Sequence, residues 1–275
     1  MSTLGSIFRA LPVANHGKGL ADKAAIFLVI AFETTSFSNP TRRVRIKRAL
    51  RALSRDGLVT IHFAHGGENF AVNLRAGEDG DISVASEFLR SGYEFPDVRP
   101  SQIIDGGANI GFFSILASRR YPEVRISCFE ANPDNIAALE RNLAINGANA
   151  EVINKALWSG DSELVFHSHL AYSGHVAEVG AEPEATGAVR VPAVLPEIGR
   201  NCWLKLDIEG AEYEVLPALI AAGRLPRWIS AELHHYRKKG PALVELLQQG
   251  GYRMSGVPEQ PMSDEIVIFA ERAAS

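Results

Sequence analysis

The sequence predicts an α/β fold, a doubly wound and mostly parallel sheet preceded by a helical extension and a hairpin. Two observations carry this prediction. From about Pro100 onward, short apolar runs alternate with stretches of helical periodicity, the pattern of βαβ units. The last two apolar runs follow one another with no helix between them, as in a closing antiparallel hairpin. At 275 residues, 46% hydrophobic and 22% charged, the chain suffices for one elaborated domain or two small ones, and collagen-like or wholly disordered readings are excluded.

Residues 1–56 read as helical. An apolar run spans Ala24 to Phe32, a break falls at Ser36–Pro40, and Thr41–Arg55 sets Ile46, Ala49, Leu50 and Leu53 on one face at helical spacing. Its other face is cationic: Arg42, Arg43, Arg45, Lys47, Arg48, Arg51 and Arg55. Leu58–Ala64 and Asn69–Leu74 then read as strands around His65-Gly66-Gly67. Residues 1–56 are accordingly expected to form an extension and residues 57–275 one α/β domain.

Within that domain Gln102–Asp105, Arg125–Glu130 and Glu151–Ala156 read as strands, with helices at Gly111–Arg120 and Pro133–Asn146. The second half gives strands at Cys202–Ile208, Trp228–Leu233, Tyr252–Ser255 and Glu265–Ala270, with helices at Ala211–Ala222 and Pro241–Gln249. Between the halves, residues 157–200 hold strand-like Glu163–His167 and Ala188–Val194 around a Gly/Ala/Glu/Pro-rich stretch, Gly180–Gly187. This insertion falls in sequence where a doubly wound sheet reverses direction, beside which ligands bind, so its loops are expected to choose the substrate.

Charge is unevenly placed, +7 over residues 1–56 against −11 over the remainder. A solvated helix face packed against an acidic body accounts for residues 41–55; a grip on phosphates, or contact with an anionic membrane or carrier protein, are the alternatives. The longest apolar run, nine residues, is about half of what a spanning helix needs. The first twenty residues show no charged n-region, apolar run and cleavage site in succession, so a cytoplasmic location is expected. Two cysteines, Cys128 and Cys202, make no disulfide framework.

The most informative segment is Ile103-Ile104-Asp105-Gly106-Gly107-Ala108-Asn109-Ile110-Gly111, an apolar strand ending in an acid and a small-residue turn opening a helix. Such a turn lets the backbone pass close under a nucleotide. The glycines fall as G-G-x-x-x-G, not in the G-x-G-x-x-G spacing of dinucleotide sites. A carboxylate at Asp105 would repel a pyrophosphate but could pair with a ligand ammonium, which disfavours NAD and favours S-adenosylmethionine. Glu130 ends the next strand, where a carboxylate can accept both ribose hydroxyls. In Trp203–Glu212, alternation puts Lys205, Asp207 and Glu209 on one side of a strand with the acids at its C-terminal end. Charges on a central strand are costly without a partner or ligand.

These residues closely resemble the FkbM family of S-adenosylmethionine-dependent methyltransferases, over roughly residues 70–270. The resemblance rests on Asp-Gly-Gly-Ala-Asn-Ile-Gly (105–111), Phe-Glu-Ala-Asn-Pro (129–133), Asn-Lys-Ala-Leu (154–157) and Leu-Lys-Leu-Asp-Ile-Glu-Gly-Ala-Glu (204–212), with a lead-in from Leu74-Arg75 through Glu87-Phe88-Leu89 to Tyr93. It implies a class I methyltransferase (Rossmann-like) sheet of seven strands with the last antiparallel. By position, Asp105, Gly107, Asn109 and Gly111 would cradle the methionine part and Glu130 would hold the ribose. Ala131 stands beside it where many members have proline, Asn154–Ala156 would border the adenine, and Asp207 would lie near the sulfonium. In that strand order Cys128 and Cys202 are too far apart to bond.

For the proton released by a hydroxyl acceptor, the candidates are Glu209 and His234, just past the ends of neighbouring strands; His235 is expected to pack or cap, and Lys205 to pair with an acid. His167, His169 and His175 lack an acid at ligand spacing, and methyl transfer needs no Lewis acid, so no metal is expected and these histidines line substrate or lie on the surface. No Asn/Asp-Pro-Pro-Tyr/Phe motif follows the fourth strand and no Pro-Cys pair is present, which disfavours nucleic acid as acceptor. The default is O-methylation of a hydroxyl on a sugar, glycan precursor or secondary metabolite. The alternatives are N- or carboxyl-methylation of a small molecule, a non-catalytic binding module on the same fold, and an NAD-dependent oxidoreductase.

Overall fold

The computed structural model describes residues 17–33, 40–65, 68–91, 95, 97–169, 173–181, 188–258 and 261–273; the break at 36–39, the Gly66-Gly67 turn, Tyr93 and most of the Gly180–Gly187 stretch lie outside them. Two compact units are present, one of residues up to 96 with Glu140–Gly147, the other of Asp97–Leu139 with Ala148–Ser275. The division thus falls after residue 96 and not after residue 56, because the hairpin shares a core with the helices that precede it.

The first unit contains helices α1 (Leu20–Glu33) and α2 (Pro40–Ala52), the hairpin β1 (Leu58–His65) and β2 (Glu68–Arg75), and helix α3 (Asp79–Ser91). Ile26, Val29, Ile30 and Phe32 of α1 are buried, as are Ile46 and Leu50 of α2 and Ile61, Phe63, Val72 and Leu74 of the hairpin. The cationic face of α2 is not wholly solvated. Arg43 is buried, its guanidinium 3.8 Å from the Phe32 ring centroid, and it pairs with Asp79 together with Lys47. Arg51 Nε donates to Ala76 O at 3.3 Å. Leu53, expected on the apolar face, is 40% exposed because the helix ends at Ala52.

The outer edge of β2 is satisfied by side chains. Asn142 accepts from Asn73 N at 2.9 Å and donates to Asn73 O at 3.2 Å; Asn146, one helical turn on, does the same with Ala71 at 3.1 and 2.7 Å. Two carboxamides four residues apart thus take the place of a third strand. Asn142→Leu is expected to leave the backbone groups of Asn73 buried without partners, lowering stability by about 1–3 kcal/mol in urea denaturation.

In the second unit a seven-stranded sheet runs in the order β12-β13-β11-β10-β3-β4-β5. Its strands are β3 (Gln102–Gly106), β4 (Ile126–Phe129), β5 (Ala150–Ile153), β10 (Cys202–Leu206), β11 (Trp228–Leu233), β12 (Tyr252–Ser255) and β13 (Ile266–Arg272). The first five are mutually parallel, and β13 is antiparallel to both its neighbours, β11 and β12. This is the sheet the sequence predicts, with its closing hairpin. Connections go outward in opposite senses from β3 and β10, so the crevice opens at the C-terminal ends of these two strands. Helices α4 (Phe112–Arg120), α5 (Pro133–Asn146), α6 (Glu212–Ala221) and α7 (Tyr236–Gln249) accompany the sheet. Cys128 on β4 and Cys202 on β10 are separated by β3; both are free and buried, and burial pushes each thiol up to about 12.

The insertion forms a second sheet, in the order β6-β9-β7-β8, from Ala156–Leu157, Val189–Val194, Ser162–His169 and Ser173–Glu178. The single strand expected over Glu151–Ala156 is therefore two, β5 in the large sheet and β6 in the small one, parted at Asn154-Lys155. Helix α7 begins five residues before the Pro241 that sequence reading takes as its start, because Asp264 holds an extra turn: its carbonyl accepts Tyr236 N at 2.8 Å and its carboxylate accepts Arg237 N at 2.9 Å. Among the described residues no helix is long and apolar enough to cross a membrane.

Candidate active site

The turn after β3 is built by three residues in the left-handed region, Gly107 (φ 75°), Asn109 (φ 51°) and Gly111 (φ 98°). Gly107 N and Ala108 N both donate to Phe129 O at 3.0 Å, tying the turn to the end of β4. A Cβ at Gly107 would lie 1.8 Å from Asp207 O, so no side chain fits there. Asp207 N in turn donates to Gly106 O at 3.0 Å. Among the described residues no side chain caps the start of α4.

Asp105 departs from its expected role. It is fully buried; Ser114 Oγ donates to its Oδ2 at 2.7 Å and Lys205 Nζ lies 3.0 Å from its Oδ1. The carboxylate that was expected to meet a ligand ammonium meets Lys205, which also donates to Gly107 O at 3.0 Å. Lys205 thus pairs with an acid, as the sequence suggests, and the pair supports the glycine turn from beneath.

Glu130, just past β4, is buried and reaches back to the same turn. Its Oε2 accepts Asn109 N at 2.8 Å, and its Oε1 accepts Asn132 N at 2.8 Å and Asn135 Nδ2 at 3.4 Å. Oε1 thus accepts two donors, while Oε2 keeps a second acceptor lone pair. Burial raises the carboxyl above the usual range, against the lowering effect of these bonds and of Lys205. Asn154 Nδ2 donates to Glu130 O at 2.8 Å, which brings the β5–β6 crossover beside Ala131 and Glu130. Ala156 is not brought to this edge: it is buried with Leu164, Val191 and Ala193 in the core of the small sheet.

On the other flank, β10 stops at Leu206, two residues earlier than expected, and the chain turns. Glu209 (φ 55°) and Gly210 (φ 103°) are left-handed, so Glu209 leaves the strand alternation that was expected to align it with Lys205 and Asp207. The turn carries it to His234, at the end of β11, with His234 Nε2 and Glu209 Oε2 3.5 Å apart. Burial raises Glu209 to about 7, helped by Asp207, Glu212 and Glu265 and opposed by His234. For His234 burial works downward, but Glu212, Glu209 and Asp207 outweigh it and lift the imidazole to about 9.

Sequence reading missed three members of this constellation. Ser114 holds Asp105; Tyr213 Oη donates to His234 O at 2.6 Å; and Glu212, fully buried, faces His234 Nδ1 at 3.4 Å. An acid in the first turn of a helix reads as a dipole partner, and nothing in the spacing betrays its burial. His235 is left-handed (φ 52°) at the start of α7, with Asp264 3.9 Å away, a capping position as expected. On the small sheet His167 is buried and its ring stacks on His175 at 5.2 Å between centroids.

Comparison with known proteins adds the family. The methyltransferase FkbM domain matches residues 105–254. Methyltransferase sdnD of Sordaria araneosa is 35% identical over 153 residues, 42% of this chain and 58% of that protein's own length. The 31-O-demethyl-FK506 methyltransferase FkbM of Streptomyces tacrolimicus is 28% identical over 204 residues, covering 60% of this chain and 76% of the relative. Among solved structures, M. jannaschii TYW2 in complex with AdoMet aligns with a TM-score of 0.44 at 13% identity, over 80% of this chain and 89% of that one.

Proposed function

The chain belongs to the FkbM methyltransferase family, and from that premise we propose that it methylates a hydroxyl of a sugar, glycan precursor or secondary metabolite. The observation that carries this reading is the convergence, at the C-terminal ends of adjacent strands, of the glycine turn, Glu130 on one flank and Glu209 with His234 on the other.

The residues present fit S-adenosylmethionine. The turn passes through three left-handed residues with no side chain at its closest approach to Asp207, and Glu130 retains acceptor capacity beside it. Gly107, Asn109 and Gly111 would hold the methionine part, Glu130 the ribose and Asn154 the adenine edge, with Asp207 beside the positive sulfur. When bound, the cofactor supplies an electrophilic methyl group whose bonding pair returns to sulfur as the acceptor oxygen takes the carbon. The chain's task is then to orient the acceptor hydroxyl and receive its proton.

The insertion over 157–200, folded as the small sheet, is assigned to acceptor selection. The relative that acts on 31-O-demethyl-FK506 supports an oxygen acceptor. No metal is assigned a part, and the protein is taken as cytoplasmic. Arg45 and Arg48 of α2 are exposed, and contact with an anionic membrane surface or carrier is assigned to them. Incubation with methyl-labelled cofactor and a panel of polyols, amines and carboxylates tests the reading. Label in a base-stable ether is expected; label in an amine or a base-labile ester would overturn it.

A further inference from the structure

His234 lies between two carboxylates. Its Nε2 is 3.5 Å from Glu209 Oε2 and its Nδ1 is 3.4 Å from Glu212 Oε1. A neutral imidazole has one N–H and one lone pair, so in this position one nitrogen would turn its lone pair toward a carboxylate. Two N–H groups, the imidazolium, face each carboxylate with a positively charged edge at ion-pair distance. Glu212 requires the same answer from its own side. It is sealed from solvent, its Oε1 already accepts Ile208 N at 3.0 Å, and among the described residues its ion pair is with His234. A buried carboxylate without a cation is strongly disfavoured.

Access separates the pair further. The His234 side chain is 10% exposed and that of Glu209 is 37%. Tyr213 Oη bonded to His234 O fixes the backbone that carries the ring. The left-handed backbone at Glu209 is held by the neighbouring Ile208–Glu212 bond, strain kept where a side chain must be aimed. The charged groups around the pair are Asp207 after β10, Glu212 from α6 and Glu265 before β13.

We propose that Glu209 takes the proton of the acceptor, and that His234 is a positioning imidazolium, clamped by Glu212, that aims Glu209 and does not itself serve as the base. In the step, the acceptor O–H bond breaks, its proton goes to a Glu209 oxygen, and the acceptor oxygen bonds the methyl carbon as the carbon–sulfur bond breaks toward sulfur. This division of roles rests on the methyltransferase reading, but the test of its imidazolium does not need the cofactor.

Long-range proton–nitrogen correlation spectra of the full-length, nitrogen-15-labelled protein report the ring directly, with His234→Gln identifying its signals. Both ring nitrogens are expected in the imidazolium range at neutral pH, with a midpoint at about 9. Glu212→Gln is expected to lower that midpoint by roughly one unit or more. A single neutral tautomer in the wild type at neutral pH would overturn the proposal, whether or not the variant folds. With an acceptor that takes label, Glu209→Gln is expected to lose about 100-fold or more in kcat. His234→Gln should lose less and shift the acidic limb of the pH profile; the reverse order would also overturn the assignment. If the spectra are as expected and no cofactor binds, the methyltransferase reading fails while the imidazolium stands.

Discussion

Gly107→Ala is expected to abolish cofactor binding. The added Cβ would sit 1.8 Å from Asp207 O, and Asp207 is held in place by its own bond to Gly106 O within the β10–β3 pairing. Neither backbone can retreat without opening the centre of the sheet. Left-handed φ at an alanine adds roughly 1 kcal/mol; displacement of the turn from Phe129 and Glu130 costs the site its shape. Gly223→Ala provides the control. It has a similar φ of 67° with nothing within 4 Å, so it should bear the conformational penalty alone. Calorimetric titration with S-adenosylhomocysteine should show affinity reduced by roughly 100-fold or more in the first variant, a loss of the size that a misplacement of about 1 Å causes in the rate of a positioned reaction. In the second, affinity should be unchanged. Equal affinities in the two variants would remove the turn from the site.

The second large effect is on stability. Lys205→Met is expected to cost about 3–5 kcal/mol, because it leaves the Asp105 carboxylate buried at the centre of the sheet with Ser114 as its remaining donor. The double variant Lys205→Met with Asp105→Asn should recover much of that loss, since a buried charge is no longer left unpaired. Urea denaturation measures both. A single variant within about 0.5 kcal/mol of wild type would mean that the pair is not a support of the turn.

The fold was legible because it rests on periodicity. The alternation of short apolar runs with helices located every strand of the large sheet, and two final runs without a helix gave the hairpin. What could not be read is what depends on atoms distant in sequence. The Asn142 and Asn146 amides look like any polar helix face until β2 is seen against them. Arg43 looks like a solvated cation until Asp79 and Phe32 surround it. The alternation through Lys205, Asp207 and Glu209 reads as one strand, while the backbone reverses its hand at Glu209 and Gly210.

The placement of the candidate residues was legible to the same extent. Residues named for their place in a turn or at a strand end, Gly107, Asn109, Gly111, Glu130, Glu209 and His234, come together at one edge of the sheet. Asp105 was placed correctly on its strand but given the wrong neighbour: a strand-end acid can face ligand or core, and Lys205 one strand over decides for the core. Ala156 failed for a related reason, since the chain changes sheets two residues before it.

Isothermal calorimetry of the wild-type protein against S-adenosylmethionine, S-adenosylhomocysteine and NAD in parallel decides whether the turn at 105–111 with Glu130 holds S-adenosylmethionine. Micromolar binding of the first two with none of NAD is the expected result. Binding of NAD, or of none of the three, would take the cofactor away from this turn.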